Sequence, residues 1–96
     1  MNDDDFEWDE AKNAANDSKH GVTFERACLV FSDPFAIGEY DDRSFYEDRF
    51  TVSGMVEGVL LLVVYAERDE RVRIISARRA TKNEQNNYYR QNGRAP

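Results

Sequence analysis

The chain has 96 residues, of which 41% are hydrophobic and 33% charged, and its formal net charge is −6. This composition is typical of one folded domain and excludes a disordered chain, and the longest apolar run, residues 59–66, is far shorter than the roughly 20 residues that cross a bilayer. The acidic N-terminus lacks the apolar stretch of a signal peptide, so we expect a single cytoplasmic domain over residues 1–96, with flexible ends at 1–5 and 93–96.

The N-terminal region predicts a short strand followed by a helix. Residues 6–8 alternate between apolar and polar, Asp9 has the position of an N-cap, and the helix is expected from Glu10 to about Lys19. Gly21 follows at the position of a C-terminal cap. Small side chains recur at helical spacing and predict a thin inward face, formed by Ala11, Ala14, Ala15 and Ser18.

A second helix is predicted directly after the first. Thr23 is placed to cap it, and Asp33-Pro34 is placed to stop it. The apolar stripe includes the single cysteine, for which we expect a role in the core. This stripe consists of Phe24, Ala27, Cys28 and Phe31.

The rest of the chain changes to the period of two that is typical of strands, and then returns to a helix. The run from Val59 to Tyr65 is apolar on both faces, whereas residues 54–58 and 67–70 look like tight connections of antiparallel hairpins. Residues 41–48 are expected to form a polar loop. Thr81 and Glu84 have the spacing of a capping box, and the last helix should run to about Gln91 or Asn92 and end at Gly93.

These elements predict an α+β fold in the order β-α-α-β-β-β-α, an antiparallel sheet with N-terminal helices and a C-terminal helix. We expect the helices on one face of the sheet and an open second face. Basic residues should gather on that open face, namely Arg71, Arg73, Arg78 and Arg79.

The charges divide sharply along the chain. Residues 68–96 contain eight Lys/Arg and three acids, whereas residues 1–67 contain five Lys/Arg and sixteen acids. A basic surface on an acidic protein favours an anionic ligand such as a phosphate group, because the guanidinium of arginine can bind two phosphate oxygens at once. The alternative is that these arginines are ordinary solvated residues of a strand and its turn.

The residues available for chemistry are few. One histidine and one cysteine give no zinc site, and the acid pairs of residues 41–42 and 47–48 are better explained as a solvated loop than as a magnesium site, so we expect no cofactor. RNA cleavage needs orientation, a proton acceptor and cations more than a metal, since the substrate supplies its own 2′-OH as the nucleophile, and this chain has that minimum set. His20 is a candidate proton acceptor, although a histidine at a helix end also caps the last carbonyls. Trp8, Tyr88 and Tyr89 are candidates for base stacking or for core packing.

Several short segments of the chain form a recognisable series. They are Phe6-Glu7-Trp8-Asp9 with Lys12-Asn13, Lys19-His20-Gly21-Val22 with Phe24, residues 30–34, Asp42-Arg43, Glu47-Asp48-Arg49 and residues 73–80. In this order they resemble the BrnT-type toxins of bacterial type II toxin-antitoxin systems, over roughly residues 6–90. The resemblance implies a RelE-like fold, a metal-independent endoribonuclease that arrests translation, and neutralisation by a BrnA-type antitoxin with a ribbon-helix-helix domain. The toxin would meet operator DNA only through this antitoxin.

The resemblance also implies functional residues. The expected catalytic residues are Arg68, Arg78, Arg79 and His20. The expected RNA-binding residues are Lys19, Arg43, Arg49, Arg73, Lys82 and Tyr88. We expect the antitoxin to cover the basic groove or the sheet beside it, and no membrane partner. The main alternative is a non-catalytic module that binds an anion or a partner within a repressor complex, and a direct DNA-binding domain is a weaker one.

Overall fold

The computed structural model describes residues 5–43 and 45–93, and it has the predicted α+β architecture. Four strands, one more than the expected order contained, lie between the second helix and the last. The predictions for residues 1–4 and 94–96 lie outside the described residues. In chain order the elements are β1 (Phe6–Glu7), α1 (Glu10–His20), α2 (Phe24–Ala27) with a 3-10 continuation (Cys28–Ser32), β2 (Ile37–Asp41), β3 (Arg49–Val56), β4 (Val59–Arg68), β5 (Arg71–Arg79) and α3 (Lys82–Gln91).

The five strands form one sheet in the order β1-β5-β4-β3-β2. Strands β2 to β5 are antiparallel neighbours joined by hairpins, whereas β1 is parallel to β5, with Phe6 opposite Val72. The register between β4 and β5 shifts at Val64/Tyr65, where Ile75 is left without an opposite residue. On either side of this bulge, alternate side chains of each strand point to opposite faces of the sheet.

The helices pack on both faces, so the prediction of one entirely open face was wrong. Helices α1 and α2 cover the face that carries Leu61 and Val63, which are buried in the main core. Helix α3 covers one end of the other face, where Tyr88 packs with Leu60 and Ala80. The physical reason lies in the apolar run of β4: Leu60 and Leu61 are adjacent, point in opposite directions, and are both buried.

Helix α1 buries asparagines rather than the predicted alanine stripe. Asn13 and Asn16 are the buried residues of this helix. The Asn16 amide nitrogen donates to the carbonyls of Val22 and Ala77 at 2.8 Å, and its oxygen accepts from the Ala77 amide at 3.1 Å. Asn16 thus replaces a neighbouring strand at the edge of β5. The residues predicted to face inward are all exposed, namely Ala11, Ala14, Ala15 and Ser18.

The second helical segment agrees with its prediction in its cap and in its core. The Thr23 hydroxyl accepts from the Arg26 amide at 3.2 Å, and Phe24, Ala27 and Cys28 are buried. The 3-10 continuation also buries Val30, which lies directly against Gly54 of β3: a Cβ at Gly54 would be 2.8 Å from the Val30 carbonyl oxygen. Gly54 is therefore a packing residue inside a strand, and not part of the predicted connection 54–58.

Candidate functional site

A groove crosses the sheet face opposite α1 and α2, in the area that α3 leaves uncovered. It consists of two adjoining cavities, of about 280 Å³ beside α3 and about 300 Å³ toward Arg49. Both cavities are lined by Asp41 and Arg43. The floor is formed by residues of β3, β4 and β5 that point to this face, namely Thr51, Ser53, Leu62, Val64 and Ser76.

Arg78 stands on the α3 side of the groove and is fixed by Glu84. The guanidinium donates to both carboxylate oxygens, at 2.8 and 3.0 Å. The same carboxylate accepts from the Thr81 amide at 2.8 Å and completes the capping box of α3. Glu84 raises the pKa of Arg78 mainly through the hydrogen bond, and Arg78 in turn lowers the pKa of Glu84. The Arg78 head is therefore a fixed cation with a set orientation.

Arg43 stands on the other side of the groove and is fixed by Asp41. Its Nε and Nη2 donate to the two carboxylate oxygens at 2.8 and 3.0 Å, and its backbone amide donates at 3.1 Å. The Asp41 side chain is 8% exposed, whereas the Arg43 side chain is 76% exposed. The hydrogen bonds from Arg43 lower the pKa of Asp41. A buried anion thus holds an exposed, planar cation at the entrance of the groove.

The two guanidiniums lie close enough to influence each other. The positive charge of Arg43 acts to lower the pKa of Arg78, whereas the hydrogen bond to Glu84 raises it by more. A third carboxylate, Glu39, lines the same cavity and has no ion-pair partner within residues 5–43 and 45–93. The cavity therefore combines two oriented cations with an available proton acceptor, which is an arrangement suited to an anion that also carries a hydroxyl group.

The comparison with known families matches this part of the chain. Residues 8–84 fit the family model described as the ribonuclease toxin, BrnT, of type II toxin-antitoxin systems. The chain belongs to the BrnT family. A search of curated proteins gives no significant match. Membership means a ribonuclease toxin, and it implies an RNA substrate and a cognate antitoxin.

The four expected catalytic residues of the toxin do not meet in one place. Arg68 is opposite Arg71, at the far end of the β4–β5 hairpin from Arg78, about 20 Å away at roughly 3.3 Å per residue. Arg79 is exposed and borders a separate cavity of about 260 Å³ at the end of the sheet that α3 covers, together with Leu60 and Ala80. Of the four, only Arg78 lines the groove.

His20 lies on the side of the sheet that the groove does not occupy. Helix α1 runs in the same direction as β5. Glu7, just before the helix, is paired with Arg73, and Asn16 within the helix contacts Ala77 further along the strand. His20 is one turn beyond Asn16, at the exposed C-terminal end of this helix, and Lys19 precedes it. Neither residue is among those that line the groove cavities.

The expected RNA-binding residues divide into two groups. Arg43 and Arg49 line the groove, and the Nε of Arg49 lies 3.5 Å from the Oε1 of Glu47. Arg73 is on the same face but is held by Glu7 at 2.8 Å. Lys82 is the exposed first residue of α3.

Tyr88 does not have the position that base stacking requires. Its side chain is 3% exposed and its hydroxyl donates to Asp33 at 2.6 Å, so the ring belongs to the core beneath α3. The half-buried Tyr89 borders the Arg79 cavity instead. Trp8 packs edge-on against Phe24, as the core interpretation predicted.

Three carboxylates that line the groove were not predicted from the sequence as functional residues, namely Glu39, Asp41 and Glu84. Glu84 was predicted only as a helix cap. Its ion pair with Arg78 could not be predicted from the sequence, because this pair depends on how α3 packs back over β5. In the described part of the chain, no group of three or more His, Cys, Asp or Glu is placed to hold a metal ion. No helix in that part is long and apolar enough to cross a membrane.

Proposed function

We propose that this toxin cleaves RNA in the groove between Arg43 and Arg78, by attack of the substrate's 2′-OH on the adjacent phosphate. The observation that carries this proposal is the pair of oriented guanidiniums on opposite sides of one cavity. Each can present N–H groups to a phosphate oxygen while its carboxylate partner fixes the plane of the fork. The floor of small and polar side chains leaves room for a backbone to approach the sheet.

The chemistry needs charge stabilisation and a proton acceptor from the protein. The 2′-oxygen gives its proton to the acceptor and forms a bond to phosphorus, the bond to the 5′-oxygen of the next nucleotide breaks, and that oxygen takes up a proton from water, so that the products are a 2′,3′-cyclic phosphate and a 5′-hydroxyl. Arg43 and Arg78 stabilise the negative charge that develops on the phosphate oxygens. The positive charge of these two arginines supports a reaction that does not depend on a metal ion.

Glu39 is our candidate for the group that removes the proton from the 2′-OH. Three carboxylates line the cavity, but Asp41 and Glu84 are engaged by arginines, which lower the pKa of both. Glu39 makes no such ion pair within the described residues. His20, the acceptor favoured by the sequence, does not line this cavity. A general base has to lie within hydrogen-bond reach of the proton it removes, so we favour the carboxylate that lines the cavity without an arginine partner.

The cellular role that we propose is that of a BrnT toxin. RNA cleavage would arrest translation, and an antitoxin of the BrnA type, with a ribbon-helix-helix domain, would neutralise the toxin and bring it to operator DNA. The acidic residues that line the groove predict weak RNA binding that depends strongly on salt, because phosphate contacts must compete with the existing ion pairs.

The test compares arginine variants that differ in their position relative to the groove. Arg43→Ala removes an exposed guanidinium of the groove, and Arg79→Ala is the matched control, because Arg79 is an exposed arginine that lines neither groove cavity. Purified proteins are assayed for cleavage of RNA in the presence of a chelator, with folding checked by circular dichroism, and growth is followed during induced expression. We expect Arg43→Ala to lose about 10²- to 10³-fold in rate and Arg79→Ala to remain near wild type.

The control has an interpretation of its own. If Arg79→Ala is inactive and Arg43→Ala is active, the site lies at the Arg79 cavity and not in the groove. If well-folded wild-type protein neither cleaves RNA nor arrests growth, the groove is a binding site, which is the alternative that its neutralised arginines favour. A replacement of Glu39 by Gln that leaves the rate unchanged would remove Glu39 from the mechanism.

A further inference from the structure

A row of aromatic rings crosses the sheet face opposite the groove. Tyr40, Phe50 and Tyr65 are neighbours on three successive strands, with ring centroids 5.7 and 5.6 Å apart. Phe31 of the 3-10 segment continues the row at 5.1 Å from Tyr65 and joins it to the buried Phe6 at 5.5 Å. We call Tyr40, Phe50, Tyr65 and Phe31 the aromatic row.

The helices leave this row partly uncovered. Phe6 is buried, the three middle rings are half-buried, and Tyr40 at the edge strand is 58% exposed. Two further aromatic side chains follow in the loop after β2: Phe45 is 94% exposed and Tyr46 is 98% exposed. Aromatic surface of this extent, continuous with the core at one end and open at the other, is typical of a protein interface.

The rim of the aromatic row is acidic. Asp48 accepts a hydrogen bond from the Tyr40 hydroxyl at 3.1 Å and raises the pKa of that phenol. Glu67 lies near Tyr65 and adds to the effect of burial in raising its pKa. These charges repel RNA phosphates and also repel a second copy of the same surface.

We propose that the aromatic row binds the cognate antitoxin, through a segment in which apolar side chains are flanked by lysines or arginines. The apolar side chains would cover the rings of the row, and the basic side chains would meet Asp48 and Glu67. The proposal rests on the toxin function proposed above, and it places the antitoxin on the sheet face away from the groove. The β2–β3 loop joins the two faces, since it follows Tyr40 and carries Arg43.

The experiment uses variants that alter the row without altering the groove. Tyr65→Ser removes a half-buried ring from the middle of the row, and Asp48→Lys reverses a charge of the rim; neither residue lines a groove cavity. Asp17→Lys is the matched control, because Asp17 is an exposed acid of α1 with the same change of charge. Binding of the purified cognate antitoxin is measured by calorimetry at two salt concentrations, and folding is checked by thermal melting.

We expect Tyr65→Ser and Asp48→Lys each to lower antitoxin affinity about tenfold or more, while RNA cleavage and growth arrest stay at the wild-type level and Asp17→Lys has no effect. In cells these variants would arrest growth despite the antitoxin. Unchanged affinity in both folded variants overturns the proposal. Loss of RNA cleavage with normal antitoxin affinity would make the row an RNA surface, and a change in the oligomeric state of the toxin alone would make it a contact between copies. Absence of cleavage by wild type contradicts the proposed function, and not this interface.

Discussion

The carboxylate of Glu84 binds the guanidinium of Arg78 through two hydrogen bonds, at 2.8 and 3.0 Å, while it caps the helix in which it lies. One side chain therefore fixes both the start of α3 and a cation of the groove. The orientation of Arg78 depends on the helix being folded at its first turn. Stability of this helix end and the orientation of the Arg78 guanidinium are coupled through Glu84.

This coupling predicts a pH dependence of stability. Arg78 is the main cause that lowers the pKa of Glu84 below its ordinary value of 4.5. A carboxyl whose pKa is lower in the folded state stabilises the fold fully above the unfolded pKa, and this contribution disappears as pH falls through the folded pKa. We therefore expect stability to decline as the pH falls below about 4.5, as measured by denaturant unfolding between pH 3 and 7.

The variant Glu84→Gln isolates that effect. At pH 7 we expect it to cost about 1 kcal/mol, from the weakened cap and the lost ion pair, and to flatten the decline in stability below pH 4.5. Glu57→Gln changes an exposed carboxyl in the β3–β4 turn and should retain the wild-type profile. Identical profiles for Glu84→Gln and wild type would show that the pair does not contribute to folding.

Asn16 predicts a large loss of stability for a single polar side chain. Its amide satisfies both backbone groups of Ala77 and the carbonyl of Val22 in a buried setting. Asn16→Ala leaves these groups without partners, so we expect a cost of about 2–4 kcal/mol in urea unfolding. Asn83→Ala, at an exposed position of α3, should change stability by less than about 0.5 kcal/mol. Equal effects of the two variants would contradict the strand-like role of Asn16.

Two glycines of neighbouring strands offer a matched pair. A Cβ at Gly54 would lie 2.8 Å from the Val30 carbonyl oxygen and 2.9 Å from its Cβ, whereas a Cβ at Gly38 would approach nothing closer than 3.9 Å. We expect Gly54→Ala to cost about 2–3 kcal/mol, since the 3-10 segment must move away from the sheet, and Gly38→Ala to be neutral. Thermal melts of both variants decide this, and a neutral Gly54→Ala would mean that the segment shifts freely.

The elements that could be predicted from the sequence are those determined by local chemistry. The capping box of Thr81 and Glu84 lies where its spacing placed it, and Asp9 and Thr23 cap their helices as predicted. The buried face of α1 could not be predicted from its apolar pattern, because Asn13 and Asn16 are buried for their hydrogen bonds and not for hydrophobicity. The expected packing of all helices on one face also failed, since the run in β4 supplies apolar residues to two faces.

The candidate site was only partly predictable from the sequence, because it brings together residues that are far apart in the chain. The sequence indicated a cluster of arginines, but of the adjacent Arg78 and Arg79 only Arg78 lines the groove. Arg43 is 35 residues away in the chain and influences Arg78 directly, because β2 and β5 border the same face. Long-range pairing of this kind depends on sheet order, which local patterns do not determine. The family resemblance identified the segments that contain both residues.

A substitution in the β4–β5 turn is expected to raise the stability of the protein. Asp69 and Glu70 both have positive φ values, 52° and 64°. Residues other than glycine, asparagine and aspartate adopt such a backbone conformation at a cost in free energy. A two-residue hairpin with positive φ at both positions favours Asp-Gly, and Glu70→Gly creates that pair. We expect a gain of about 0.5–1 kcal/mol in urea unfolding. The reverse experiment at the other hairpin, Gly58→Ala at a φ of 81°, should cost a similar amount, and a loss of stability in Glu70→Gly would show that the Glu70 side chain stabilises the turn by more than its backbone strain.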